Sequence, residues 1–563
     1  MALTKAHNRM IANAAANIRD FGAVGNGSTD DSAAFNSAIS SLAAQGGGTL
    51  FIPIGDYNLN NVLTPMSSNI TIEGEGYGSL LRNFIGGFYN FVSNITWRNF
   101  RIIGYRYVWS NADNLLFENI SFENSDPTAP VFGSSRFCQM VNTSRVRITN
   151  CYIKNCQYGL FAGDAFTGST VRVNTNIIVE GCTIENTEAY SYPAGLNIAD
   201  GTEVILKDNI IRNIAASAGT LGYGIYQGDN AAFSCDRMNI TGNLIQDCQY
   251  GIKIHAASDL VISDNNIENT LVSAFDAISN FGDLDPVTGA IPENVTISGN
   301  TVRGDISWRG WFKNVAITGN AVRNAGRGIN TYTSNSGQFL EYLTINGNTI
   351  TNSDETGIQL QDTIYATISN NTIVNFNLND NGSQFQQAGI TAYTSTNNIY
   401  VYDNIMTNQL PTGLGKFGVF FHGVGTKSTA RKIAYDNIAT NVNSPSSAMT
   451  TPVAGTWENA EKVYFSALSA GGTMGTVCVD EGTFGTLSGV TGSGSISTPT
   501  LTVSSASDMS RGDYITVTGA GTHRIQNISG TTITLWTNLT ATVSGVAVQY
   551  RAPTFKNFGT IAA

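Results

Sequence analysis

The sequence predicts an all-β solenoid of stacked parallel strands, and three observations predict it. First, one short pattern returns between residues 95 and 440: an aliphatic residue, a polar residue, Gly or Asp, Asn, a variable residue and another aliphatic. It reads Ile240-Thr241-Gly242-Asn243-Leu244-Ile245 and returns at Ile262, Ile297, Ile317, Ile345 and Ile368, with successive Asn slots 20 to 35 residues apart. Repeats of this size cannot bury an apolar face alone, so stacking must supply the core. Second, the apolar residues within each repeat alternate and are β-branched, which selects strand over helix. Third, a further strand recurs as Gly followed by an aliphatic residue, at Gly195-Leu196, Gly224-Ile225, Gly251-Ile252, Gly328-Ile329, Gly357-Ile358, Gly389-Ile390 and Gly418-Val419. Equivalent positions of such coils lie about 4.8 Å apart and form ladders. The Asn slot, read at Asn99, Asn119, Asn209, Asn243, Asn265, Asn300, Asn320, Asn348, Asn371, Asn404 and Asn437, is then a hydrogen-bonded ladder at a turn, with Cys151 and Cys182 filling it in two copies.

Composition narrows the function classes. The 30 basic and 41 acidic residues give a net charge of −11, which argues against a nucleic-acid partner and leaves an anionic polymer to meet a local basic patch. The seven cysteines lack framework spacing and no CxxC pair exists, so they read as packing residues, and no metal site is assigned. Residues 1–18 lack the continuous apolar stretch of a signal peptide, and no apolar run is long enough to span a membrane.

In chain order, residues 1–17 are an Ala-rich polar leader. Residues 18–60 form a cap. Ile18 to Asp31 leads into a helix whose N-cap is Thr29, Asp30 or Asp31 and whose apolar stripe is Ala34, Phe35, Ala38, Ile39 and Leu42. The helix stops at Gly46-Gly47-Gly48, and a strand follows at Thr49 to Pro53. An amphipathic helix here covers the open end of the first coil. The coils occupy residues 61–445. Residues 446–496 and 551–563 read as a small β module, and the alternating strands of 497–550 as a β domain inserted into it.

The string DFGAVGNGSTDD from Asp20, with AAFNSAI, GGGTLFIPIGDY and IEGEG after it, resembles the opening of the pectate-lyase-like superfamily in the form common in bacteriophage tailspikes and tail-fibre depolymerases. That resemblance implies a right-handed, single-stranded parallel β-helix with a short N-terminal capping helix and small C-terminal β domains. It further implies a homotrimer on a virion tail, attached to a tail or baseplate protein through its N-terminal leader, that binds and often cleaves a bacterial surface polysaccharide.

Side-chain alternation along the Gly-aliphatic strand places Leu196, Ile225, Ile252, Phe275, Ile306, Ile329, Ile358, Ile390 and Val419 inward. The residues after them then point out, and Tyr226, Lys253, His255, Asp276, Arg309 and Tyr332 fall on one exposed strip, continued by Gln361 and Tyr393. Aromatic residues beside scarce charges suit sugar stacking. At the end of the same strand Asp164, Asp200 and Asp229 share a slot on successive coils. An Asp there also forms turns, but carboxylates a rung apart repel, and one of a pair with a raised pKa is what a general acid needs. Hydrolysis thus points to Asp200, Asp229 and Asp276 with His255, and substrate binding to Tyr226, Lys253, Arg309, Tyr332, Gln361 and Tyr393. No cofactor is required for this. The alternative chemistry is β-elimination on a uronic-acid polymer, with His255 or Lys253 as base, Arg309 neutralising the carboxylate, and calcium as the cation that the superfamily's lyases often use. A further alternative is a lectin-like receptor-binding protein without catalysis. Glu188, Tyr190 and Tyr192 are loop residues that could serve from the edge.

Overall fold

A computed structural model describes residues 15–60, 67–88, 91–124, 136–163, 174–186, 193–214, 221–228, 235–268, 276–280, 291–332, 339–378, 387–393, 396–408, 417–421, 432–435, 437–440, 444–446, 456–457, 462–464 and 473–560. The chain divides into two compact units, 1–340 and 341–563.

The first unit begins with the helix α1 (Ser32–Ala44), whose stripe Ala34, Phe35, Ala38, Ile39 and Leu42 is buried against the strand Gly48–Ile52. Its N-cap is Asp31, but that side chain does not cap it. The carboxylate turns back to accept from the Val24 and Gly25 N–H groups at 2.7 and 3.2 Å, fixing the Gly-rich entry loop. Gly47 ends the turn at φ 130, where a Cβ would lie 2.5 Å from the Asn69 carbonyl oxygen, so only glycine closes the first coil.

Each coil that follows contributes three parallel strands. Ser144–Thr149, Tyr152–Lys154 and Tyr158–Ala162 are answered by Thr175–Glu180, Thr183–Glu185 and Ala194–Ile198, and the pattern repeats up the stack. The third strands form the sheet that matters here: β1 (Arg136–Val141), β2 (Tyr158–Ala162), β3 (Ala194–Ile198), β4 (Tyr223–Gln227), β5 (Tyr250–Ile254), β6 (Asp276–Asn280), β7 (Asp305–Arg309) and β8 (Ile329–Tyr332), each paired in parallel with the next. Leu196, Ile225, Ile252, Ile278, Ile306 and Ile329 stack in register in the core, all essentially fully buried.

The asparagine ladder is present. Asn209, Asn243, Asn265 and Asn300 each donate from Nδ2 to the Oδ1 of the next, ending on Asn320, at 2.9 to 3.0 Å. The residue before each rung, such as Asp208 or Gly242, has a positive φ of 55 or 68, which explains the Gly-or-Asp in the repeat. Two early rungs differ from expectation. Asn99 and Asn119 themselves take φ 61 and 51, so they hold the turn position, and Phe100 and Ile120 fill the ladder slot. Cys182 does occupy that slot, its N–H donating to Asn209 Oδ1 at 3.0 Å. All seven cysteines are buried.

The second unit carries parallel coils of the same kind, such as Thr363–Ser369, Thr372–Val374 and Ala388–Ala392, with its own ladder from Asn348 through Asn371 and Asn404 to Asn437. Further on, Thr473–Asp480 pairs antiparallel with Lys462–Tyr464 and Thr554–Thr560. Between those strands sits a closed six-stranded barrel, from Thr491–Gly494 to Val543–Tyr550, around a core that includes Leu501, Ile515, Val517, Ile525 and Ile533. Among the described residues no helix is long and apolar enough to cross a membrane.

Candidate active site

The site is built on the outer face of β4 to β8. Tyr223 begins β4 and its ring stacks on Tyr226 of the same strand (centroids 4.5 Å, 14°) and on Tyr250 of the next (5.4 Å, 27°). Lys253 follows Tyr226 in register, its Nζ lying 4.1 Å from the centre of the Tyr250 ring. The expected exposure of this strip fails at Lys253, which is only 4% exposed, and at Ser307, which is 0% exposed; Ser279, which the register sets between them, is 1% exposed. Tyr226, Tyr250, Asp276, Arg309 and Tyr332 are half-buried and form the accessible part.

The register places Asp276 differently from the sequence reading, in which Phe275 points inward. Ile278 takes the inward slot opposite Ile252, and Ser279, not Asp276, lies beside Lys253. Phe275 lies outside the described residues. Counting back from Ile252 and Ile278 sets Asp276 in line with Tyr250. Asp276 pairs with Asp305 and Ile278 with Ile306, so β6 holds one extra residue, Ala277, and bulges. Bulges of this kind re-aim side chains. Here it brings two carboxylates into adjacent rungs.

Charges around the pair are ordered. Arg309 Nη2 meets Asp276 at 3.2 Å, its Nε donates to Ser307 Oγ at 2.8 Å, and its guanidinium lies 4.5 Å from the Tyr332 ring centre. The Asn280 side chain binds both the N–H and the carbonyl of Arg309 and so fixes that turn. Asp305 accepts from the Arg327 N–H at 3.1 Å and faces Asn330 Nδ2 at 3.5 Å. Burial pushes the Asp305 carboxyl up to about 7, with the Asp276 charge adding to the rise and the Arg327 and Gly326 N–H groups opposing it. Burial also raises Asp276, against Arg309, Lys253 and Arg327. Burial brings Lys253 down to about 8, with Arg309 lowering it further and Asp276 opposing.

Of the residues singled out from sequence, the structure thus brings together Tyr226, Lys253, Asp276, Arg309 and Tyr332. His255 sits past the end of β5 against Gly228, and its N–H donates to Gln227 Oε1 at 2.8 Å. Asp200 is 5% exposed, and its Oδ1 accepts from the N–H and Nδ2 of Asn174 at 3.1 and 2.9 Å, a bond to the preceding coil. Asp164, Asp229, Glu188, Tyr190 and Tyr192 lie outside the described residues. Gln361 and Tyr393 belong to the second unit, where the Tyr393 N–H donates to the Leu360 carbonyl at 2.9 Å. Asp305, Tyr223 and Tyr250 were missed. Aligning Ile278-Ser279 with Ile306-Ser307 in the sequence sets Asp305 against Ala277, so the match of the two acids appears only with the bulge.

Among the described residues no group of three or more His, Cys, Asp or Glu is placed to hold a metal ion. Arg309 and Lys253 already put positive charge beside Asp276, so these residues do not suit a calcium ion.

Comparison with known proteins agrees with this architecture. Residues 66–267 match a family model described as right handed beta helix region, residues 15–83 one described as rhamnogalacturonase A/epimerase, pectate lyase-like, and residues 288–467 one described as periplasmic copper-binding protein (NosD). Mannuronan C5-epimerase AlgE3 of Azotobacter vinelandii is 38% identical over 77 residues, 13% of this chain and 4% of that protein. Alginate lyase 7 of the same organism is 35% identical over 77 residues, 13% of this chain and 9% of its own length. The chain therefore spans only a small part of the curated relatives it matches. Among solved structures, the N-terminal fragment of bacteriophage phi29 gene product 12 is 14% identical with a TM-score of 0.48, covering 77% of this chain and 71% of that one. A tailspike protein double mutant of E. coli bacteriophage HK620, in complex with pentasaccharide, is 11% identical with a TM-score of 0.46 over 97% of this chain and 92% of its own. Strand register and family models agree, and the matched segments make this a right-handed parallel β-helix of the pectate-lyase-like kind.

Proposed function

We propose that this chain is a bacteriophage tailspike that binds a host surface polysaccharide, capsule or O-antigen, and hydrolyses its glycosidic bonds at Asp276 and Asp305. The carboxylate pair in adjacent rungs is the observation that carries the reading, and the burial that pushes Asp305 up to about 7 supports it. Neighbouring rungs lie about 4.8 Å apart, close to the roughly 5–5.5 Å between carboxyls in retaining glycosidases. Asp305 gives its proton to the glycosidic oxygen as the bond to the anomeric carbon breaks. Asp276, whose ionised form Arg309 favours against the effect of burial, attacks that carbon from the other face. Asp305, now ionised, takes a proton from water, and the water oxygen displaces Asp276. The half-exposed rings of Tyr226, Tyr250 and Tyr332 offer faces for the pyranose units. The functional unit is a homotrimer carried on the virion tail through the N-terminal leader, of which residues 1–14 lie outside the described residues.

A second reading has its own support. Lys253, lowered to about 8 and adjacent to Arg309, suits a base that takes the C5 proton of a uronate while Arg309 neutralises the carboxylate. Its leaving group departs by elimination and leaves a double bond in the product.

Incubating the purified chain with capsule or O-antigen from candidate hosts separates the readings. New reducing ends without unsaturated-uronate absorbance support hydrolysis, and that absorbance would replace it with elimination. Retention of the intact polymer would favour a lectin-like receptor-binding protein. Sedimentation analysis tests the trimer, and a monomer at working concentration would sink it.

A further inference from the structure

The two acids are also joined by a chain of hydrogen bonds through buried side chains, and each link of it has a fixed direction. Arg309, paired with Asp276 at 3.2 Å, donates from Nε to Ser307 Oγ at 2.8 Å. Ser307 Oγ donates in turn to Asn330 Oδ1 at 3.0 Å, and Asn330 Nδ2 faces Asp305 Oδ2 at 3.5 Å. A guanidinium can only donate, so Ser307 receives at its oxygen and has its own proton left for Asn330. The amide oxygen of Asn330 is thereby engaged, and its NH2 group is the end turned to the carboxyl. Ser307 and Asn330 stand opposite each other on β7 and β8, both buried, so bulk water does not compete for these links. Ser279, the rung before Ser307 in the same column, is buried with no partner for its hydroxyl. The column is therefore not hydrogen-bonded throughout, and the chain belongs to the acid pair.

We propose that Asn330 is a positioning residue for Asp305, and that the Ser307 hydroxyl decides which end of the Asn330 amide meets that carboxyl. An amide donates at one end and accepts at the other. With its NH2 group toward Oδ2 it favours the ionised carboxyl, which only accepts. Turned end for end it would present an oxygen and favour the protonated carboxyl, which has an O–H to donate. The Arg327 N–H on Oδ1 is there in either orientation. Asp276 on β6 and Arg327 ahead of β8 are the charged groups that act on Asp305, while Arg309 on β7 and Lys253 on β5 act on Asp276. In the hydrolysis Asp305 first gives up a proton and then takes one from water, so its ionised form must stay within reach. Burial works against that form, and the oriented amide works for it. The use of Asp305 as an acid rests on the proposed function, and the orientation of the amide does not.

The test is a double-mutant cycle in the full chain, with Ser307→Ala, Asn330→Leu and the pair together, and Ser307→Thr as the variant that keeps the hydroxyl. The carboxyl carbon of Asp305 is titrated by NMR in chain labelled at aspartate, its signal assigned with Asp305→Asn. Ser307→Ala frees the amide to turn and is expected to move the Asp305 midpoint up by about one pH unit, a tenfold gain in proton affinity. Asn330→Leu, which removes the donor without supplying an acceptor, is expected to move it up by less. In the Asn330→Leu background Ser307→Ala should add nothing, and Ser307→Thr should titrate as the unmodified chain does. An unmoved midpoint in Ser307→Ala, or the same rise in both backgrounds, overturns the relay, since the second would mean that a displaced Arg309 acts on Asp305 directly. Should Asn330→Leu fail to fold, an equal rise in Ser307→Ala and Ser307→Thr overturns it. Cleavage of host glycan is then followed against pH in the same variants, and its loss at high pH is expected to move upward with the Asp305 midpoint. If the midpoint moves as expected while no glycan is cleaved, or while the rate profile stays where it was, the catalytic reading of Asp305 falls and the relay stands.

Discussion

Asp305 and Lys253 have opposite titration behaviour, and each gives a pH dependence with a definite sign. Asp305 is raised to about 7, so the folded state binds more protons than the unfolded chain between the ordinary carboxylate range and 7. Its contribution to stability is therefore greatest at low pH and is lost as pH rises through 7. Cleavage should fall over the same rise, since a general acid must carry its proton. Asp305→Asn should reduce cleavage by about a hundredfold or more and flatten that limb of the stability curve, as pH-dependent melting and rate profiles would show. Lys253 is lowered to about 8, so the folded state binds fewer protons and stability from this group grows as pH rises through 8. Lys253→Met should raise the melting temperature at neutral pH. Equal melting of both chains at pH 7 would contradict a desolvated ammonium. These two groups show where the sequence stopped being legible. Asp276 and Arg309 were read onto one strip and form an ion pair, but the reading that set Asp276 beside Lys253 was out of register, since Ser279 takes that place. The partnership of Asp276 with Asp305 was not legible, because it depends on the bulge at Ala277, and a one-residue bulge leaves no periodic trace.

At the scale of the coil, stability resides in ladders that no single strand can make. Asn265 Oδ1 accepts from the backbone N–H and Nδ2 of Asn243, while its Nδ2 donates to the Ile240 carbonyl and to Asn300 Oδ1. Asn265→Ala should cost about 3 kcal/mol, since it leaves several buried groups without partners. Urea unfolding of the whole chain measures it, and a cost near zero would mean that water replaces the side chain. The repeat was legible because the positive-φ residue and the ladder Asn are adjacent in sequence. The same adjacency misled at Asn99 and Asn119, where asparagine serves in the turn and an apolar residue takes the rung. Deleting Ala277 tests the coil from the other side. It should restore the even register of β6 to β7 with Asp276 still opposite Asp305, and leave the Asp305 carboxyl raised, which NMR of the side chain would follow; a return of that titration toward the ordinary carboxylate range would show that the bulge itself is needed for the pair.

In the molecule as a whole, the barrel has what a separate folding unit needs. Its core residues, Leu501, Ile515, Val517, Ile525 and Ile533 among them, are all buried, and its first strand pairs with its last, Thr491 against Ala547. The fragment 487–552 should therefore fold alone and melt cooperatively. A fragment without dispersed amide resonances would show that the barrel depends on its flanks. The pairing of first and last strands has a further consequence. Chain enters and leaves the barrel at one place, between two strands, Thr473–Asp480 and Thr554–Thr560, that are already paired with each other. Such a junction works as a socket. A different module could be recombined into it by two crossovers, and the host sheet would keep every one of its own hydrogen bonds, so a lineage could exchange what it presents at this position without rebuilding what holds it.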